Sequence, residues 1–117
     1  MAGKAEQYKG DLFLEFGRRG VRIEVKTRGK LPAYITDPAI NKISGLCYLL
    51  SLEEFIELLK ANILPEVNTE INDSRCKGLI SWFNQDDSDI VAMKQTSHKT
   101  WYFAVKIDTA KRIGGRF

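Results

Sequence analysis

The stretch Gly10–Thr27, GDLFLEFGRRGVRIEVKT, reads as a β-hairpin and orders everything after it. Residues 12–16 and 21–26 are short runs rich in Leu, Phe, Val and Ile. Gly17-Arg18-Arg19-Gly20 between them supplies two glycines for the positive backbone dihedrals of a turn. Side chains alternate along a strand, so Val21, Ile23 and Val25 share one face of the second strand and Arg22, Glu24 and Lys26 share the other.

Outward from the hairpin, Arg28-Gly29-Lys30-Leu31-Pro32 is a connection and Ala33 to Thr36 a short third strand. Asp37 could cap a helical turn from Pro38 through Ile40 and Ile43 to Gly45. Gly45 to Leu50 is a short, continuously apolar run of the kind that forms a buried strand. Ser51 and Glu54 then have capping-box spacing, with Leu50 and Phe55 as a hydrophobic staple. Leu52, Phe55, Ile56, Leu59 and Ile63 recur on one helical face against Glu53, Glu57 and Lys60, and Pro65 stops the run; a helix from 52 to about 63 follows.

Glu66 to Lys77 is polar and reads as a loop. Gly78 to Phe83, Ile90 to Gln95 and Trp101 to Ile107 read as three antiparallel strands, joined by 84–89 and 96–100. The expected fold is a single α+β domain over residues 1–117: a mainly antiparallel, twisted sheet packed against one principal helix, with 1–9 and 109–117 frayed.

A chain of 117 residues with 44% hydrophobic and 28% charged residues has the apolar content of a globular domain. No apolar run approaches the roughly 20 residues that cross a bilayer, and none follows the N-terminal Met, so a cytoplasmic or nuclear protein outside the secretory route is expected. Cys47 and Cys76 lack metal-ligand spacing and are expected to be reduced structural thiols. His98, alone of its kind, sits in a turn. Asp86, Asp87 and Asp89 lack the frame of a calcium loop and read as a solvated tip, and no phosphate-binding glycine loop precedes a helix. No metal and no cofactor is expected.

Charge is unevenly spread. Residues 1–30 carry eight Lys or Arg against four acids, residues 51–76 two against six, and residues 77–117 seven against four. The sheet is basic and the helix acidic. Arg22, Lys26, Lys94, Tyr102 and Lys106 on one polar sheet face would suit a nucleic-acid backbone, cations against phosphates and an aromatic ring against bases; alternating charge on a strand also protects a sheet edge from aggregation. Phosphate contacts are expected from Arg18, Arg19, Arg22, Lys26, Arg28, Lys30, Lys94 and Lys106, and base stacking from Tyr102 and Trp82.

Two family resemblances attach to these residues. The hairpin followed by GLCYLLSLEEFIELLK, residues 45–60, resembles the transcriptional-coactivator and Whirly group of single-stranded DNA-binding proteins over about residues 10–63. That resemblance implies a non-catalytic sheet surface gripping single-stranded DNA through Arg18, Arg19, Arg22 and Lys26, and a homodimer made through the helix from Leu52. The linker from Thr27 to Gly45 is longer than that family's, and strands after the helix depart from its small members. Gly10-Asp11, the hairpin and Ile23-Glu24-Val25-Lys26-Thr27 resemble the core of PD-(D/E)xK nucleases. There Asp11 and Glu24 would hold Mg²⁺ and Lys26 would assist attack by water. The ten residues before Asp11 are too few for that family's usual first helix and strand. A protein-interaction or inhibitor module, docking through Glu53, Glu57, Glu66, Glu70 and Asp73 on a nucleic-acid enzyme, is the third expectation. DNA binding without catalysis is the expectation placed first.

Overall fold

The computed structural model describes residues 12–16, 19–36, 41–67, 69–85 and 87–114, and the side chains of these except 12–16 and 19. Strand β1 (Leu12–Phe16) pairs antiparallel with β2 (Arg19–Arg28), Leu12 opposite Ile23 and Phe16 opposite Arg19, so the hairpin forms as the alternation predicts. Gly17 and Arg18 lie outside the described residues. After β2 come one turn of helix α1 (Ala33–Thr36), strand β3 (Lys42–Ile43), strand β4 (Cys47–Ser51), helix α2 (Leu52–Ala61) and strand β5 (Thr69–Glu70). A 3₁₀ turn (Asp73–Arg75), helix α3 (Lys77–Gln85), strands β6 (Ile90–Gln95) and β7 (Trp101–Lys106), and helix α4 (Ile107–Gly114) follow.

Among the described residues the seven strands form one sheet in the order β1-β2-β6-β7-β4-β3-β5. It is mixed: β2 runs parallel to β6 and β3 parallel to β5, and the other pairs are antiparallel. The expected α+β class and mostly antiparallel sheet are present, but helices lie on both faces, and no single helix covers the sheet.

On one face α2 and α4 pack over β2, β6, β7 and β4. Val21, Ile23, Ile90, Ala92, Phe103, Val105, Tyr48 and Leu50 meet Phe55 and Leu58 of α2 and Ala110 and Ile113 of α4. Phe55 and Phe103 stack with ring centroids 4.2 Å apart and planes 7° from parallel. Ser51 caps α2 as its spacing predicts, accepting the amide of Glu54 at 3.2 Å, and Asn62 ends it in the left-handed region. Leu58, fully buried and absent from the predicted stripe, turns the helix so that Leu52 and Ile56 are exposed, and Ile63, expected within the helix, lies exposed beyond its Asn62 cap.

Helix α4 replaces the expected frayed tail over residues 107–114, burying Thr109, Ala110 and Ile113. Its end runs close to the segment after α2: a Cβ on Gly114 would lie 3.0 Å from Leu58 Cδ1 and 3.1 Å from the Leu64 backbone nitrogen, so only glycine fits without displacement. The expectation of frayed residues 1–9 lies outside the described residues.

On the other face α1 and α3 cover β4, β6 and β7. Leu79 and Phe83 of α3, with Cys76 before it and Leu31 and Ile35 around α1, pack on Cys47, Leu49, Val91, Met93 and Ala104. Residues 78–83, expected as a strand, are therefore helical. Cys76, Leu79 and Phe83 recur at three and four residues, a helical spacing that the continuous run GLISWF hides. Residues 33–36, also expected as a strand, form a helical turn closed by the Ile35 amide donating to the Pro32 carbonyl at 2.9 Å. Of the helix expected from Pro38 to Gly45, residues 37–40 lie outside the described residues and Lys42–Ile43 is strand β3. The segment read as a loop from Glu66 to Lys77 contains β5 and the 3₁₀ turn. Among the described residues no helix is long and apolar enough to cross a membrane.

Candidate functional site

Strand β2 separates two environments residue by residue. Val21 and Ile23 point into the core under α2 and α4, and the even-numbered residues point to the α3 side. β2 contributes nothing to the apolar cluster under α3. Beside that cluster it presents Arg22, Glu24, Lys26 and Arg28 instead.

Glu24 and Lys26 are two residues apart on one strand face, so their side chains stand next to each other. Lys26 Nζ lies 3.3 Å from Glu24 Oε2, with only 11% and 8% of the two side chains exposed. Lys26 Nζ also donates to Gln85 Oε1 at 3.0 Å, which ties the strand to the last residue of α3. One residue pair further along, the Arg28 guanidinium sits 5.3 Å above the centre of the Trp82 ring and donates through Nη1 to the Thr27 carbonyl at 3.0 Å. Lys26, Arg28, Trp82 and Gln85 thus form one polar-aromatic edge between β2 and α3.

The remaining expected contacts divide. Arg22, exposed at the start of β2, is bound through its backbone to Asp89: its amide donates to Asp89 Oδ2 at 3.0 Å and its carbonyl accepts the Asp89 amide at 2.9 Å. Asp89 Oδ1 lies 3.9 Å from Arg112. The acidic segment is therefore a helix-to-strand turn whose Asp89 holds strand ends together, not a solvated tip; Asp86 lies outside the described residues. Lys106 extends over the Phe83 ring at 5.4 Å, and Tyr102 is half-buried under α3. Lys94 is on the opposite face, because β6 places it with Ile90 and Ala92, and its ammonium closes the β6–β7 turn by donating to the His98 carbonyl at 3.0 Å. Lys30 is exposed just beyond β2. Arg18 and Asp11 lie outside the described residues, and for Arg19, the first residue of β2, only the backbone is described.

An uncovered sheet face uniting Arg22, Lys26, Lys94, Tyr102 and Lys106 is thus not what the fold builds. Helix α3 lies over β7, the strand that carries Tyr102 and Lys106, and Lys94 points away. Gln85 is the site residue that sequence reading misses. Its signal, three positions after Trp82 on a helix, is invisible while 78–83 is read as a strand.

Buried thiols lie beneath the same helix. Cys47 and Cys76 are free and buried, and burial pushes the Cys47 thiol up to about 12, partly countered by its hydrogen bond with Ser44. Burial likewise raises Cys76, with a further rise from the Asp73 carboxylate. Neither is a nucleophile at neutral pH. His98 is exposed in the β6–β7 turn, its Nδ1 3.2 Å from Gln95 Nε2. Among the described residues no three His, Cys, Asp or Glu side chains are grouped to hold a metal ion.

The chain matches no protein-family model, no curated protein and no solved structure.

Proposed function

We propose that this chain is a nucleic-acid phosphodiesterase whose site is centred on Glu24 and Lys26, in the manner of the PD-(D/E)xK nucleases. The observation that carries the proposal is the largely buried Glu24–Lys26 pair at 3.3 Å on a strand whose alternate residues Val21, Ile23 and Val25 join the apolar core. Taking two charges out of water costs more than their mutual attraction readily returns, and apolar residues of similar volume would hold β2 against α3 as well or better. Charge kept in such a place points to chemistry.

A carboxylate supplies the hard oxygen that Mg²⁺ prefers, so Glu24 fits that ion in kind. Glu24 is the carboxylate that the described residues place beside Lys26; Asp11, the second donor under the proposal, lies outside the described residues. When bound, Mg²⁺ would supply Lewis-acid polarisation of a phosphoryl oxygen. Lys26, held between Glu24 and Gln85, would orient the attacking water by hydrogen bonding and place a positive charge against the phosphate. Arg22, Arg28 and Lys30, all exposed on or just after the same strand, would hold the flanking backbone.

Those three exposed cations also favour a second reading, binding of single-stranded DNA without cleavage in a cytoplasmic or nuclear setting. There Leu52, Ile56 and Ile63, exposed along and after α2, would make the homodimer contact.

Labelled single-stranded and duplex DNA incubated with Mg²⁺, with EDTA as control, separates these readings. Mg²⁺-dependent cleavage that Glu24→Gln abolishes while leaving affinity intact is the expected result. Equal cleavage by the variant would remove Glu24 from the site. Salt-dependent binding with uncut strands would install the second reading, and no binding to either DNA would favour a protein-docking module using Glu53, Glu57, Glu66, Glu70 and Asp73.

A further inference from the structure

We propose that Arg28 and Trp82 form a stacking step for one unpaired nucleobase next to the Glu24–Lys26 pair, so that the site takes single-stranded or frayed DNA in preference to intact duplex. The inference rests on the nucleic-acid reading above and deepens it by naming the substrate class.

Three features converge on this edge. The Arg28 guanidinium is held at two points before any ligand arrives: its Cζ lies 5.3 Å from the centre of the Trp82 ring, and its Nη1 donates to the Thr27 carbonyl. The Arg28 backbone is anchored as well, its carbonyl accepting the Thr96 amide at 2.8 Å. Arg28 is nevertheless exposed, so the plate it makes with the indole faces solvent. A planar guanidinium resting on an indole offers a flat cationic surface, and bases splayed from a single strand stack on aromatic rings and arginine planes. In an intact duplex those base faces are already covered by their neighbours.

Position supplies the link to the site. Arg28 follows Lys26 on the same strand face, about 7 Å further along, a step that one nucleotide of an extended strand can span. Trp82 and Gln85 lie one helical turn apart on α3 and reach Arg28 and Lys26 respectively. A phosphate at Lys26 would therefore leave its neighbouring base at the Arg28–Trp82 plate.

The test measures fluorescence anisotropy of labelled oligo(dT) and of a duplex of equal length, using the wild-type chain, Arg28→Lys and Trp82→Phe. Arg28→Lys keeps the charge and loses the plane, so it is expected to weaken oligo(dT) binding about tenfold while duplex affinity stays within about twofold. Because Trp82→Phe removes core area as well, a folded-state readout accompanies it: in a Trp101→Phe background, oligo(dT) should quench the emission of Trp82. Equal weakening on both DNAs, or emission unmoved at saturation, overturns the stacking step. Loss of strand preference with cleavage intact overturns only this inference. Retained strand preference without cleavage supports it and overturns the nuclease reading, and absence of binding to either DNA overturns both.

Discussion

The two faces of β2 are built on opposite rules. Val21 and Ile23 enter an apolar core that continues through Ile90, Ala92, Phe103 and Val105 to the stacked Phe55. Glu24 and Lys26, on the same strand, are nearly as deeply placed but charged, and Lys26 ties the pair to α3 through Gln85. The first face is what burial alone would select, since each large apolar side chain removed from water contributes roughly 1.5–3 kcal/mol. The second departs from that rule at one place, and such departures are where function is to be sought.

Substitutions sharpen the contrast. On the apolar face, Phe103→Ala removes a ring from the Phe55 stack and should cost about 3–5 kcal/mol, read by urea denaturation with an unchanged m-value. On the charged face, Glu24→Ala leaves the Lys26 ammonium without its carboxylate partner and should cost about 3 kcal/mol. A loss below about 1 kcal/mol would mean that water reaches the pair freely enough to replace it.

The α3 side also carries a pH signature. The Cys47 thiol ordinarily titrates near 9.0 and is pushed up to about 12 in the fold by burial. Because the folded value is the higher one, the stabilisation from keeping this thiol neutral is complete below about pH 9 and is lost as pH climbs towards 12. Thermal melts of the wild-type chain should therefore fall more steeply across that window than melts of Cys47→Ala; parallel curves would show that the thiol is solvated. The smallest effect expected is at the α2 cap, where Ser51→Ala removes the acceptor for the Glu54 amide and should cost about 1 kcal/mol.

How far these elements can be read from sequence follows from what sets each of them. The β1–β2 hairpin is legible because alternation and two glycines agree, and α2 because Ser51 caps it in the sequence-local way that caps work. The start of α3 is set by tertiary packing: GLISWF is apolar enough to serve as a buried strand, and only the spacing of Cys76, Leu79 and Phe83 against the sheet decides for a helix. Helix α4 buries Thr109, Ala110 and Ile113, of which Ala110 and Ile113 alone are apolar, too few to outweigh the glycines at 114 and 115 in a reading of the sequence. The same limit applies to the site. Glu24 and Lys26 can be paired from a period of two, but Gln85 reaches Lys26 and Trp82 reaches Arg28 only because α3 folds back beside β2. Sequence reading puts Lys94 on the wrong face because the parallel register of β6 on β2, Ile23 opposite Ile90, is invisible in the chain.

A Glu24–Lys26 pair kept for chemistry and not for stability should be dispensable to the fold, and the double variant Glu24→Leu/Lys26→Met separates the two roles. Its melting temperature and its Mg²⁺-dependent cleavage of single-stranded DNA should be measured on the same preparation. Stability equal to or above that of the wild-type chain, with cleavage abolished, is the expected result. A marked fall in melting temperature, or cleavage that survives the loss of both charges, would contradict it.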